Sequence, residues 1–120
     1  MKVLILEDNK FDSDLAIRYI NEKFVDCIID HAQSIAEAKL LIKNDYDVAL
    51  LDVKLPDGFG TDFLVDLRTQ NKKMLIIMLT GSGNEELAVT SLKAGADDYI
   101  IKKENYLENL SDNIFNNLNS

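Results

Sequence analysis

The chain has 120 residues, 47% of them apolar and only one proline, and carries a formal net charge of −8. That length supports one ordered domain with one core. The acidic balance argues against attachment to nucleic acid or to an anionic membrane, because both partners carry the same sign, whereas a local cluster of acids would attract a divalent cation.

Lys2 to Leu6 is a short apolar run that reads as a first strand, with Glu7, Asp8 and Asn9 in a loop at its carboxyl end. From Lys10 to Phe24, the residues Phe11, Leu15, Ala16, Tyr19, Ile20 and Phe24 recur at three- and four-residue spacing, which predicts an amphipathic helix. Asp26 to His31 reads as the second strand. Within it Cys27, the only cysteine, is expected to be a buried, reduced thiol of a cytosolic protein. His31 has no metal-ligand companion in sequence and reads as a surface or packing residue.

Ser34 with Glu37 forms a capping box, and Ile35, Ala38, Leu41 and Ile42 give the inner face of a second helix that ends near Asn44 and Asp45. Val48 to Leu51 is apolar without interruption, as a strand buried on both sides of a parallel sheet must be, and Asp52 ends it. Phe59, Phe63, Leu64 and Leu67 support a third helix starting near Gly60 or Thr61. Met74 to Leu79 is a fourth, wholly apolar strand with Thr80 at its end. Gly81, Ser82 and Gly83 read as a loop, Asn84 as the cap of a fourth helix carrying Leu87, Ala88, Ser91 and Leu92, and Gly95 as its left-handed stop. Asp98 to Ile101 is the fifth strand, ending at Lys102. Leu107, Leu110, Ile114 and Leu118 line a last helix, whose Asn-rich end from Asn113 to Ser120 reads as a fraying tail.

Five strands alternating with five helices predict a doubly wound α/β domain over residues 1–120: a five-stranded parallel sheet covered by helices on both faces. With strand order 2-1-3-4-5, the crevice opens between the ends of strands one and three, where Glu7, Asp8 and Asp52 fall. Three carboxylates at one crevice repel one another unless a hard cation binds between them, and Mg²⁺ prefers such oxygen ligands. Thr80 and Lys102 end the neighbouring strands, so a hydroxyl donor and an ammonium face the same crevice. A carboxylate nucleophile with a metal, a cation and a hydrogen-bond donor around it has the parts needed to accept a phosphoryl group as an acyl phosphate.

Leu4-Ile5-Leu6-Glu7-Asp8-Asn9, Leu51-Asp52-Val53-Lys54-Leu55-Pro56-Asp57-Gly58, Leu79-Thr80-Gly81 and Lys93-Ala94-Gly95-Ala96-Asp97-Asp98-Tyr99-Ile100-Ile101-Lys102 together resemble the receiver domain of two-component response regulators, across essentially the whole chain. The resemblance implies that Asp52 accepts a phosphoryl group from the phosphohistidine of a sensor kinase or phosphotransfer protein. It implies Mg²⁺ bound by Glu7, Asp8, Asp52 and the backbone carbonyl of Lys54, with Lys102 and Thr80 holding phosphoryl oxygens. It also implies that Thr80 and Tyr99 move together as a switch, read out on the surface of the fourth helix, fifth strand and fifth helix by a downstream effector protein or domain. Phosphorylation-dependent homodimerisation is left open. Lys54, beside the site, is placed to tune the lifetime of the acyl phosphate.

Two positions depart from the family pattern. Lys103 stands where a proline usually follows the lysine, so no cis bond is expected there and the loop presenting Lys102 should differ in shape or mobility. Glu7 replaces the more frequent Asp, with a reach to the metal that is direct or through water. The implied protein catalyses its own phosphorylation and dephosphorylation in the cytoplasm, with no direct contact to nucleic acid or membrane. A pseudo-receiver that binds partners without phosphorylation is the alternative; intact Asp52, Thr80 and Lys102 weigh against it. A phosphatase working through an aspartyl phosphate is disfavoured by Lys54, where a second acid would be needed. The chain shows no leader segment and no membrane-length apolar run, so it is expected to be soluble and unprocessed.

Overall fold

A computed structural model describes residues 1–70, 73–81 and 85–118. In chain order the elements are β1 (Lys2–Leu6), α1 (Lys10–Lys23), β2 (Ile28–Ala32), α2 (Ile35–Leu41), β3 (Val48–Asp52), β4 (Lys54–Leu55), β5 (Gly58–Phe59), α3 (Gly60–Gln70), β6 (Leu75–Thr80), α4 (Glu85–Ala94), β7 (Asp98–Ile101) and α5 (Tyr106–Leu118). Five parallel strands form the main sheet in the order β2-β1-β3-β6-β7. The short antiparallel ribbon β4–β5 was not foreseen. With it set aside, the observed order is the expected 2-1-3-4-5.

Side-chain alternation on the strands divides the core into two layers. Leu4, Leu6, Ala49, Leu51, Ile76 and Met78 point to one face, against Ala38 of α2 and Phe63, Leu64 and Leu67 of α3. Val3, Ile5, Val48, Leu50, Leu75, Ile77 and Leu79 point to the other, against Ala16 and Ile20 of α1 and Leu107, Leu110 and Ile114 of α5. Because β1 and β3 are buried on both faces, their runs had to be apolar at every position. Leu6 lies opposite Ala32 and Leu51, Asp52 opposite Leu79, and Thr80 opposite Ile101, so the polar residues that follow each run emerge along one edge.

Several expected faces differ in detail. Phe11 is 74% exposed, because the inward stripe of α1 is Ser13, Ala16 and Ile20. Phe59 is exposed in β5 rather than packed under α3, and Leu92 and Leu118 lie on outer helix faces. Cys27 is half-buried rather than buried. β2 starts at Ile28, later than expected, because Asp26 takes a left-handed turn with φ of 58°. α2 stops at Leu41 with Ile42 as its cap, earlier than the expected end near Asn44. Gly81 is described, whereas the expected loop residues Ser82 and Gly83, the expected cap Asn84 and the final residues 119–120 lie outside the described residues.

The end of α4 follows the expectation closely. Gly95 has φ of 120°, its N–H donates to the Leu92 carbonyl at 3.2 Å and the Ala96 N–H to the Ser91 carbonyl at 3.0 Å, the paired bonds of a Schellman motif. Arg68 of α3 fastens this corner. Its guanidinium donates to the carbonyls of Gly95 at 2.8 Å and Met74 at 2.6 Å, and to the Asp97 carboxylate at 2.8 Å.

Gly60 opens α3 for a steric reason. A Cβ built there would lie 1.9 Å from the Asp52 carbonyl oxygen, while the Gly60 N–H donates to the Val53 carbonyl at 2.7 Å. The helix start is thus pressed against the backbone of the strand end it follows. Gly60→Ala should push these segments apart and cost about 1–3 kcal/mol, in the range of overpacked cores. A urea unfolding midpoint equal to that of the wild type would show that the contact is not needed.

Candidate functional site

The sheet register carries the loops after β1 and β3 to one edge, and there the carboxylates of Glu7, Asp8 and Asp52 offer ligand oxygens that all lie within 4.8 Å of one another. Glu7 is buried, Asp52 half-buried and Asp8 exposed. Asp52 is oriented locally by the Val53 N–H, which donates to its Oδ1 at 2.7 Å. Glu7 is held partly by the Asn9 N–H, which donates to its Oε2 at 3.3 Å. Asn9 also caps α1, accepting from the Asp12 N–H at 3.0 Å, so the acidic loop and the helix start form one turn.

Lys102 enters from the end of β7. Its Nζ donates to Glu7 Oε1 and to Asp12 Oδ2, the latter at 3.0 Å, and lies 3.7 Å from Asp52 Oδ2. The Lys102 N–H donates to the Thr80 carbonyl at 2.7 Å, which ties the lysine to the end of β6. No cis peptide bond occurs among the described residues, as expected with Lys103 in the following position. The ammonium is almost fully enclosed by the protein.

The charges shape one another. Burial, and next the hydrogen bond with Asp52, push the Glu7 carboxyl up to about 7, against the opposing pull of Lys102. Burial alone would lower the Lys102 ammonium, but its hydrogen bonds to Glu7 and Asp12 and the nearby charge of Asp52 outweigh burial and hold it above the ordinary lysine value. Glu7, Asp12 and Asp52 surround the ammonium and Asp8 adjoins Glu7 and Asp52, so acids outnumber the cation in the pocket.

Thr80 is buried beside Tyr99, which packs inward against the layer of Leu51 and Met78. Burial raises the Tyr99 phenol above its usual value, and the adjacent Thr80 hydroxyl partly offsets this. The Tyr99 hydroxyl is buried without a hydrogen bond of normal geometry among the described residues. Lys54 sits in β4 with its side chain exposed, paired with Phe59 in the ribbon. The structure therefore brings Glu7, Asp8, Asp52 and Lys102 into one pocket, sets Thr80 at the end of β6 near the side chain of Tyr99 within β7, and leaves the Lys54 side chain outside.

Two residues of this region were missed in the sequence. Asp12 pairs with Lys102, yet an acid in the first turn of a helix reads as a complement to the helix dipole and conceals a second use. Tyr106 stands next to Asp12 and Lys102, its phenol raised chiefly by burial, and nothing in its spacing marks it. His31, half-buried and outside the acidic cluster as expected, also places Nε2 2.7 Å from the Glu7 carbonyl oxygen, a contact that its sequence position does not reveal.

The donor set fits Mg²⁺. Carboxylate oxygens are the hard ligands it prefers, and a 4.8 Å spread closes onto an octahedral ion with bonds of about 2.1 Å after small side-chain rotations. The region also holds a cation able to meet a bound anion.

A family model described as the response regulator receiver domain matches residues 3–114. The chain is 38% identical over 112 residues to the transcriptional regulatory protein CusR of Escherichia coli (strain K12), covering 92% of this chain and 48% of that protein. It is 36% identical over 106 residues to the two-component response regulator PhoP of Pseudomonas aeruginosa, covering 85% of this chain and 45% of that protein. The chain thus spans about half the length of the curated relatives it matches. Among solved structures, a CheY-like response regulator receiver domain protein from Methanospirillum hungatei JF-1 superposes with a TM-score of 0.84 at 30% identity, over 98% of this chain and 96% of that one.

The raised Glu7 value has a consequence for stability. It lies above the ordinary 4.5, so the folded protein holds this proton more tightly than the unfolded chain does. The resulting stabilisation is complete below about pH 4.5 and is lost as pH rises through about 7. In Mg²⁺-free buffer with EDTA, the urea midpoint should carry a downward slope across this window that Glu7→Gln removes. Equal slopes in the two proteins would count against a shared proton in the pocket.

Proposed function

The chain belongs to the response regulator receiver domain family, and on that premise we propose that Asp52 accepts a phosphoryl group from the phosphohistidine of a sensor histidine kinase or phosphotransfer protein. The observation that carries this reading is the meeting of Asp52 with two further carboxylates and with Lys102, whose Nζ is 3.7 Å from its Oδ2.

In the transfer, an electron pair of an Asp52 oxygen forms the new oxygen–phosphorus bond, the phosphorus–nitrogen bond breaks, and the imidazole nitrogen leaves with the electrons of the broken bond and takes a proton from solvent. Glu7, Asp8 and Asp52, with the backbone carbonyl of Lys54, would hold Mg²⁺, which supplies charge neutralisation for the phosphoryl oxygens. Lys102 stays charged at all physiological pH values because its acidic neighbours hold the proton. It needs only a short movement from Asp12 and Glu7 to reach an oxygen bonded to Asp52. Thr80 donates its hydroxyl to another phosphoryl oxygen, and its displacement toward the site is felt at Tyr99, whose hydroxyl has no competing partner among the described residues.

The readout surface is formed by α4, β7 and α5. α4 suits a switching element because its one fully buried side chain is Ser91, while Val89 and Leu92 are about half exposed. A helix so placed lacks the roughly 1.5–3 kcal/mol that each fully buried leucine contributes, so a local charge change can shift it. A downstream effector protein or domain would read that shift, and pairing of two phosphorylated copies through the same surface is one form of output. No helix among the described residues is long and apolar enough to cross a membrane.

Incubation with a small phosphodonor and Mg²⁺ should give a single phosphoryl adduct by intact mass, absent from Asp52→Asn and suppressed by EDTA. Lys102→Ala should keep the fold yet reduce the adduct by about 10²-fold or more, the scale of losing one charge-stabilising group in transfer. A folded wild type that forms no adduct under these conditions would favour a phosphorylation-independent binding module.

A further inference from the structure

The pocket depends on where the peptide joining Glu7 to Asp8 points, since both acids diverge from it. The parallel ladder between β1 and β2 ends at the Leu6–Ala32 pair, and one more bond follows, from the Glu7 N–H to the Ala32 carbonyl at 3.0 Å. β2 then leaves the sheet through Gln33, whose N–H donates to the Glu37 carboxylate, and Ser34, which caps α2. At that point the His31 ring continues the ladder, with Nε2 2.7 Å from the Glu7 carbonyl oxygen. A carbonyl only accepts, so Nε2 carries the hydrogen. Both main-chain polar groups of Glu7 are therefore held by β2, one by backbone and one by a side chain.

We propose that His31 is a positioning residue for the metal pocket: by fixing the Glu7 carbonyl it sets the Glu7–Asp8 peptide plane and keeps the two carboxylates converging with Asp52. The inference rests on the Mg²⁺-binding reading given above. His31 itself lies behind the pocket and contributes no ligand. Loss of its donor frees the peptide to rotate, which turns the Asp8 amide and spreads the ligand oxygens that now lie within 4.8 Å. Groups that orient ligands in this way are typically worth about 10- to 100-fold in metal affinity.

The test uses ¹H–¹⁵N NMR of the whole chain with MgCl₂ as the titrant. In the wild type, ring couplings should place the His31 proton on Nε2. His31→Phe keeps an aromatic ring but removes the donor; it should shift the Asp8 amide and weaken Mg²⁺ binding about tenfold. His31→Gln, which restores a donor, should recover most of both effects. A proton on Nδ1 with Nε2 bare, an unmoved Asp8 amide in His31→Phe, or an Mg²⁺ affinity within about twofold of wild type in that variant would each overturn the proposal. If wild type and Asp52→Asn alike show no response to Mg²⁺, the metal reading falls by itself. The tautomer and the Asp8 amide then still decide whether His31 holds the peptide, and should His31→Phe fail to fold, the wild-type tautomer and His31→Gln decide it.

Discussion

Lys102 carries the positive charge that offsets the acids gathered in the pocket. Sheet order places the ends of β1 and β3 side by side, and each end carries acid, so like charges meet at short range in a partly buried place. Repulsion of that kind is relieved by an opposing charge in contact or by a proton on one of the acids. Lys102 supplies that charge by touching Glu7 and Asp12 while remaining 3.7 Å from Asp52. It arrives from the end of β7, two strands away from the β3 end that carries Asp52, so the ammonium and that carboxylate are supplied by separate elements. The elevated Glu7 proton affinity comes instead from burial and from Asp52, and it persists against the pull of this ammonium.

Much of this was legible in the sequence because the informative signals were local. Val48 to Leu51 read as a doubly covered strand, which put Asp52 at the carboxyl edge where open α/β sheets place their ligands. The company of the other strand-end residues turned that position from a plain turn start into a candidate site. Ser34 and Gly95 announced a helix start and stop through their own chemistry, and both did so where expected. Glu7, Asp8, Asp52, Thr80 and Lys102 all follow apolar runs, so their common edge came from strand register alone.

What stayed hidden depends on direction and distance between segments. Phe11 fits the periodicity of α1 as well as Ala16 does, and only the rotation of the helix against the sheet separates the exposed ring from the buried methyl. Arg68 looks like any cation in the last turn of a helix, yet it donates to two carbonyls and a carboxylate on two other segments. His31 and Asp12 each have an ordinary explanation in their own neighbourhood; the partner that gives each a second one is 24 residues away for the histidine and 90 for the acid. The β4–β5 ribbon was too short to produce any periodicity.

The grip of Arg68 on the Gly95 corner sets the mechanical character of α4. The helix is tethered at its carboxyl end by the Schellman bonds and by the guanidinium, whereas its first turn, Glu85 and Glu86, is exposed and follows the strand that ends at Thr80. A rigid rod fixed at one end turns about that end. A displacement at the β6 terminus would therefore be largest at the first turn of α4 and fade toward Gly95, with the Arg68 corner as the fulcrum of a lever whose long arm lies nearest Thr80.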